Sequence, residues 1–207
     1  MLWIILGIIT SYFIGSVPTA YIFCRLLKGV DIRKYGSGNV GATNAMRILG
    51  RAPGITVLAL DIFKGFSAVF FLGNLLADKT ALISDSELRL LLGFFCIVGH
   101  NWTVFLQFKG GKGIATSLGL LIGLALKVNG LAVVLGMLIL SWFVLFLLTR
   151  IVSLASIAAA LLLPLYSFLF KQPRSFIVAS FLLSAMVILR HKSNIIRLLK
   201  KKESRLF

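Results

Sequence analysis

Two polar segments rich in glycine and flanked by cations interrupt an otherwise apolar chain, SGNVGATN at 37–44 and FKGGKG at 108–113. Runs of glycine bring backbone N–H groups together into concavities that hold anions, and Lys or Arg beside them adds charge-assisted hydrogen bonds. Phosphate is the first candidate ligand. In the first segment Gly38 and Gly41 permit a tight path, and Ser37, Asn39, Thr43 and Asn44 supply short polar side chains. A helix starting near Thr43 would point its open N–H groups back at the glycines. Arg47 and Arg51, four apart, would share a face of that helix. The competing reading is an interfacial loop with arginines among headgroups. In the second segment Lys109 and Lys112 flank a glycine turn that enters a helix. The full G-x-x-x-x-G-K-[ST] spacing is missing and no acidic strand end follows to hold magnesium, so ATP binding is not implied. Here the plainer reading is a short loop whose lysines only fix topology.

Two more segments carry usable groups. RIVSLAS at 150–156 places Ser153 and Ser156 just beyond Arg150. Serines in a membrane helix can equally pack or bond to backbone carbonyls. HKSN at 191–194 sets His191 and Asn194 three apart, on one face of a continuing helix, where the imidazole could donate to phosphate or move a proton. A solvent-facing helix end is the alternative. The other histidine, His100, reads as a structural hydrogen-bonding group or as a base. Two histidines without adjacent acids do not make a catalytic zinc site, and no metal is expected.

These segments must be positioned by membrane spans. The chain has 207 residues, 59% of them apolar, with a mean hydropathy of +1.01. Apolar runs at 3–23, 53–77, 88–107, 152–170 and 175–190 are long enough to cross a bilayer. The run 113–149 holds Lys127, Asn129 and Gly130 near its middle and reads as a hairpin of two arms, 113–127 and 130–149. A soluble α/β core would need only one or two such runs. The expected fold is therefore all-α, a compact bundle of seven transmembrane helices in a single domain, 1–207. Cys24 and Cys96 lie in apolar surroundings and suggest neither disulfide nor metal. The first residues lack a basic leader region and read as a retained span.

The formal charge is +16, from 22 Lys and Arg against 6 acids. With no basic domain outside the spans to engage nucleic acid, the excess follows the positive-inside rule or attracts anionic headgroups. Seven spans put 24–52, 109–112, Arg150 and the tail on one side and the acid-bearing loop 78–87 on the other, so the N-terminus is expected outside and the C-terminus in the cytoplasm. Asp61 and Lys64 fall inside the second span at i and i+3 and read as a buried pair that could orient neighbouring polar loops. A proton-coupled transporter would use such an acid differently, and an anion transporter would use the same cations, but no internal repeat supports either.

Taken in order, IGSVPTAY (14–21), YGSGNVGATNAMR (35–47), GHNW with FKGGKGIATSLG, RIVSLAS and HKSNIIRL (191–198) resemble the bacterial acyl-phosphate:glycerol-3-phosphate acyltransferase family, the PlsY family, essentially end to end. The resemblance implies a seven-span enzyme of the bacterial cytoplasmic (inner) membrane, its site facing the cytoplasm. It implies transfer of an acyl group from acyl phosphate to glycerol 3-phosphate, giving 1-acyl-glycerol 3-phosphate and phosphate. Matched by position, Ser37, Asn39, Asn44, Arg47, Arg51, Lys109, Lys112, Ser156 (more than Ser153), His191 and Asn194 are implied to bind substrate. Lys112, His191 and Arg47 are implied to be catalytic as well. The implied partners are glycerol 3-phosphate, acyl phosphate and membrane lipid, with no nucleic acid, no cofactor and a monomeric state. Lys192 stands where many relatives have Arg, which keeps the charge. Neither histidine is followed by Asp at the spacing of the His-x4-Asp acyltransferases.

Overall fold

The structure is a computed structural model that describes residues 1–206; among these there is no strand. The chain falls into two compact units, Met1–Leu124 and the remainder from Ala125 onward. In the first, α1 (Leu2–Ser16) breaks at Val17–Pro18 and continues as α2 (Thr19–Lys28), ended by Gly29 in the left-handed region. A polar stretch leads to α3 (Ala42–Leu49), then α4 (Arg51–Ser67). A π-helical turn, Ala68–Leu72, passes into α5 (Gly73–Leu76). After the acid-bearing loop come α6 (Asp85–Asn101) and, beyond the glycine loop, α7 (Ile114–Ala125). A capping box fixes the start of α6, with the Ser84 hydroxyl and the Glu87 carboxylate exchanging bonds with each other's backbone N–H.

Glycines decide how these helices cross. A Cβ on Gly15 would overlap the Cys96 carbonyl, and one on Gly99 would overlap the Tyr12 carbonyl, so α1 and α6 meet backbone to backbone. The same reciprocity joins α4 to α7, where a Cβ on Gly65 would strike the Thr116 carbonyl and one on Gly119 the Ile62 carbonyl. Gly119 and Gly123 form a G-x-x-x-G in α7, the spacing that lets membrane helices approach closely where no water drives them together. The apolar side chains left over, such as Phe63, Phe71 and Leu58, turn outward. At the far end of α6, Arg89 is 3% exposed although it is charged. It bonds the Asp85 carboxylate at 2.7 Å, the Asn74 amide oxygen at 2.8 Å and the Val69 carbonyl at 2.8 Å. That guanidinium thus bonds a carbonyl of the π turn, and a buried cation is held by three kinds of partner rather than by lipid.

The second unit is a packed series of long helices, α8 (Leu131–Thr149), α9 (Val152–Leu169) and α10 (Arg174–Arg190), with α9 against both of the others. The Ser141 and Tyr166 hydroxyls meet at 2.8 Å between α8 and α9. A final helix, α11 (Lys192–Leu199), leaves α10 at a bend of 63° centred on His191.

Five helical runs are long and apolar enough to cross a bilayer: Leu2–Lys28, Arg51–Lys79, Asp85–Leu106, Leu131–Thr149 and Val152–Leu169. Arg174–Arg190 with Lys192–Leu199 makes a sixth if the bent pair is one span. The run 113–149 does divide into two helices, around Gly130 at φ +79°. However, α7 has 12 residues, about 18 Å of helix against about 30 Å of hydrocarbon. The seven spans expected from the sequence therefore reduce to five or six by length.

If backbone contact sets the α4–α7 crossing, Gly119→Ala should destabilise the protein by roughly 1–3 kcal/mol, the usual penalty of overpacking. Gly136→Ala, where a Cβ meets nothing within 4 Å, should change little. Thermal unfolding of both variants in detergent checks this, and equal midpoints would refute it.

Candidate active site

The first cationic segment is organised by one side chain. Asn44, in the first turn of α3, is 1% exposed. Its Oδ1 accepts from the Ser37 N–H at 2.9 Å, and its Nδ2 donates toward the carbonyls of Ile32, Tyr35 and Asn39 at 3.3, 3.0 and 3.1 Å. Four backbone groups of the loop are thereby drawn around one amide. A side chain so committed shapes the loop; Ser37, exposed, and Asn39, half-buried, are the groups it presents. Before the loop, Asp31 caps the short turn Ile32–Lys34 and is gripped by the Arg33 guanidinium at 2.7 Å. That bond holds the Asp31 carboxyl down to about 2, against the opposing effect of burial. Lys28 donates to the Ile48 carbonyl and so closes the C-terminal end of α3, where a cation also suits the helix dipole.

Arg47 and Arg51 do not share a helix face. Gly50, at φ +93°, stops α3 and starts α4, which leaves Arg47 in the last turn of one helix and Arg51 at the first position of the next. The four-residue spacing suggested a continuous helix, but only glycine adopts that backbone angle readily, and the chain turns there. Both guanidinium groups remain exposed at the same polar end.

The glycine loop is held from beneath by the end of α6. Gly110 N–H donates to the Asn101 carbonyl at 3.2 Å and Gly111 N–H to the His100 carbonyl at 3.0 Å. Two amides that the sequence offers to an anion are therefore already bonded. Side chains are excluded there for a packing reason: a Cβ on Gly110 would overlap the His100 carbonyl, and one on Gly111 the His100 ring. Gly113 takes φ +80° and starts α7, whose first amides and dipole then face the loop. Lys109 is exposed and Lys112 half-buried on this rim. Two buried side chains below it, Asn101 and Thr116, have polar atoms without hydrogen-bond partners.

In the second unit the candidate segments 150–156 and 191–197 are joined through a residue to which the sequence reading gave no role. Glu203 accepts from the Ser153 hydroxyl at 2.8 Å, the Asn194 amide at 2.5 Å and the Arg197 guanidinium at 2.6 Å. The Leu206 N–H adds a bond to the Arg150 carbonyl at 2.9 Å. The tail is thus pinned to the start of α9. Burial pushes the Glu203 carboxyl upward, but the bonds from Arg197, Ser153 and Asn194 outweigh it and keep the carboxyl below its ordinary value. Ser156, 2% exposed, accepts from the Trp142 indole N–H at 3.2 Å. His191, 3% exposed, sits at the α10–α11 bend with Nδ1 2.8 Å from the Val187 carbonyl. A carbonyl can only accept, so Nδ1 carries a proton and donates it there. Sequence spacing set His191 and Asn194 on one face of a continuing helix, but the helix breaks by 63° at His191, where the ring turns back to the Val187 carbonyl while Asn194 turns to Glu203; the isolated acid in a basic tail was the only signal for that partner.

The fold and its buried ionic groups define an all-helical integral membrane protein. The comparisons then specify which kind. The family model described as glycerol-3-phosphate acyltransferase matches residues 5–201. A glycerol-3-phosphate acyltransferase of Gloeobacter violaceus is 42% identical over 200 residues, covering 95% of this chain and 91% of the relative. One of Moorella thermoacetica is 42% identical, covering 99% and 98%, and one of Staphylococcus aureus 41%, covering 98% of each. Among solved structures, the glycerol 3-phosphate form of PlsY (YgiH), an integral membrane glycerol 3-phosphate acyltransferase, superposes with a TM-score of 0.85 at 36% identity, covering 98% of this chain and 94% of that one. Its lysophosphatidic acid form gives 0.82 at 35% identity, with the same coverage. The chain belongs to the glycerol-3-phosphate acyltransferase family, and it is an acyltransferase of lipid synthesis.

The Glu203 clamp makes a testable statement about pH. A carboxyl held below its unfolded value contributes stability that is present above about pH 4.3 and is lost as pH falls through the lowered folded value. A spin label at position 200 should be immobile at neutral pH and gain mobility in acid. In Glu203→Gln it should be mobile throughout. An immobile label in that variant at neutral pH would show that Glu203 does not hold the tail.

Proposed function

We propose that this protein transfers an acyl group from acyl phosphate to glycerol 3-phosphate, forming 1-acyl-glycerol 3-phosphate and inorganic phosphate, the first acylation of phospholipid synthesis. The observation that carries the reading is the end-to-end likeness to PlsY in forms with glycerol 3-phosphate and with lysophosphatidic acid. The whole chain, 1–207, acts as one acyltransferase domain and as a monomer. It lies in the bacterial cytoplasmic membrane with α7 as a short seventh span, the N-terminus outside, and the C-terminus and site toward the cytoplasm. The distribution of Lys and Arg supports that orientation.

The chemistry asks little of the protein beyond charge and placement. A glycerol hydroxyl adds to the acyl carbonyl carbon, the new C–O bond forms, the bond to the phosphate oxygen breaks, and the hydroxyl proton leaves with the phosphate as hydrogen phosphate. The donor is already activated, so the reaction needs no ATP, metal ion or enzyme nucleophile. Arg47 and Lys112 stabilise negative charge growing on the carbonyl and phosphate oxygens, with Arg51, Lys109, Ser37 and Asn39 binding phosphate beside them. Asn44 serves by fixing that loop. In the second unit, Ser156, His191 and Asn194 bind and orient substrate. His191 is oriented by a backbone carbonyl, which supplies no full negative charge to stabilise an imidazolium. The phosphate oxygen, itself anionic and attached to the reacting centre, is the better proton acceptor.

Purified protein in detergent, given glycerol 3-phosphate and palmitoyl phosphate, should release lysophosphatidate and phosphate and should keep doing so in EDTA. Activity with acyl-CoA alone would remove the proposed donor. Arg47→Ala and Lys112→Ala should each lose kcat/KM equivalent to roughly 2–5 kcal/mol. In the same assay His191→Gln should clearly exceed His191→Ala; equal loss of roughly 10²–10⁴-fold in both would instead make the imidazole the base.

Orientation is separable from activity. In a Cys24→Ala, Cys96→Ala background, a cysteine at position 82 should label from outside and one at position 200 from the cytoplasm. The reverse pattern would invert the topology.

A further inference from the structure

Beneath the glycine loop lies a buried ionic group that the proposed chemistry does not use. Asp61 and Lys64 lie one turn apart on α4, 1% and 7% exposed, with Lys64 Nζ 2.7 Å from Asp61 Oδ1. Lys64 also donates to the Val17 carbonyl at 2.5 Å and lies 3.3 Å from the Thr19 hydroxyl, which itself donates to Asp61 Oδ1 at 2.5 Å. The three donors of the ammonium therefore have three acceptors. On the other side of the same carboxylate oxygen stands His100, its Nδ1 3.8 Å away. The far edge of that ring, Nε2, is what a Cβ on Gly111 would overlap, and the His100 carbonyl is what the Gly111 N–H binds. A small cavity adjoins these groups, lined by Ser16, Thr19, Lys64, His100, Gly110 and Gly111 among others, with room for about one water molecule. Polar groups thus line up from Asp61, across a gap of 3.8 Å to His100, and on to Gly111, the residue before Lys112.

A pair kept only for stability is replaceable: buried ion pairs exchanged for apolar residues of similar size are often neutral or better. This pair has a second attachment, and it leads to the loop. We propose that Asp61, neutralised by Lys64 and braced by Thr19, is a positioning residue for acyl transfer: it sets the His100 ring under Gly111 and so fixes where Lys112 stands when charge develops on the substrate. The proposal rests on the acyl-transfer reading.

The test begins with wild-type turnover of palmitoyl phosphate and glycerol 3-phosphate; failure there removes the reaction itself, independently of Asp61. With turnover established, Asp61→Asn combined with Lys64→Met removes both charges together. Its thermal midpoint should stay near that of the wild type, while kcat falls at least tenfold and KM for glycerol 3-phosphate moves less than threefold. Added to Lys112→Ala, the same pair of changes should lower kcat less than threefold further, because a misplaced lysine and an absent one are equivalent. Thr19→Val should reproduce part of the kcat loss and Thr19→Ser should restore it, which gives a second route if the double variant does not fold. Wild-type kcat in the double variant would overturn the proposal. So would the full tenfold loss repeated on top of Lys112→Ala, or equal kcat in Thr19→Val and Thr19→Ser.

Discussion

Where α6 stops, its last carbonyls would face a low-dielectric interior, and in a membrane an unsatisfied carbonyl costs several kcal/mol. The glycine loop closes that end: Gly110 and Gly111 donate to the Asn101 and His100 carbonyls, and the Trp102 N–H to that of Val98. The rest of the first unit follows from this closure. Thr103, just past the helix, hooks its hydroxyl onto the Ser16 carbonyl at 2.6 Å, and the Tyr12 hydroxyl reaches the Trp102 carbonyl at 2.8 Å, so the end of α6 is also what locks α1 in place. Gly113 then releases the chain into α7, which can lie against α4 only because Gly65 and Gly119 have no side chains. The feature most suggestive of ligand chemistry is thus a helix cap first, and any anion it binds meets the amides left beyond that cap.

The spans were legible because bilayer thickness imposes a length on apolar runs, and the cationic loops because charge is excluded from hydrocarbon. Asp61 and Lys64 were legible as a pair because i and i+3 on a helix leave them no other economical neighbour. What escaped depended on backbone angles or on distant partners. Gly50 fell inside the helix expected to carry both Arg47 and Arg51, yet its φ of +93° separates them. Asn44 was one of several short polar residues, and nothing in the sequence announces that it ties four backbone groups of residues 32–39. The bond from Ser153 to Glu203 escaped because the two lie 50 positions apart. The first arm of the hairpin was expected over 113–127, and its helix runs Ile114–Ala125 because the turn begins at Leu126.

The acids show how this sequence apportions charge. Of the 6, Asp31, Asp61, Asp85 and Glu203 each form an ion pair, with Arg33, Lys64, Arg89 and Arg197, and Glu87 completes a helix cap. Each of these five is used where a cation or a helix end needed local compensation. Arg47, Arg51 and Lys109 have no carboxylate within salt-bridge distance among the described residues. Their positive potential is left to be answered from outside the chain.

That allocation suits the proposed reaction, in which both substrates carry phosphate. An acid placed near Arg47 or Lys109 would steady the loop but would cancel the field that attracts and holds an anion. The loops are instead steadied by neutral or remote means: the Asn44 amide, the carbonyls at the end of α6, and a buried carboxylate beneath the loop whose own charge Lys64 neutralises. Rigidity and positive potential are thereby supplied by different residues. In the proposed acyl transfer both are needed at once, since preorganised cations act on developing charge only if they do not have to move toward it.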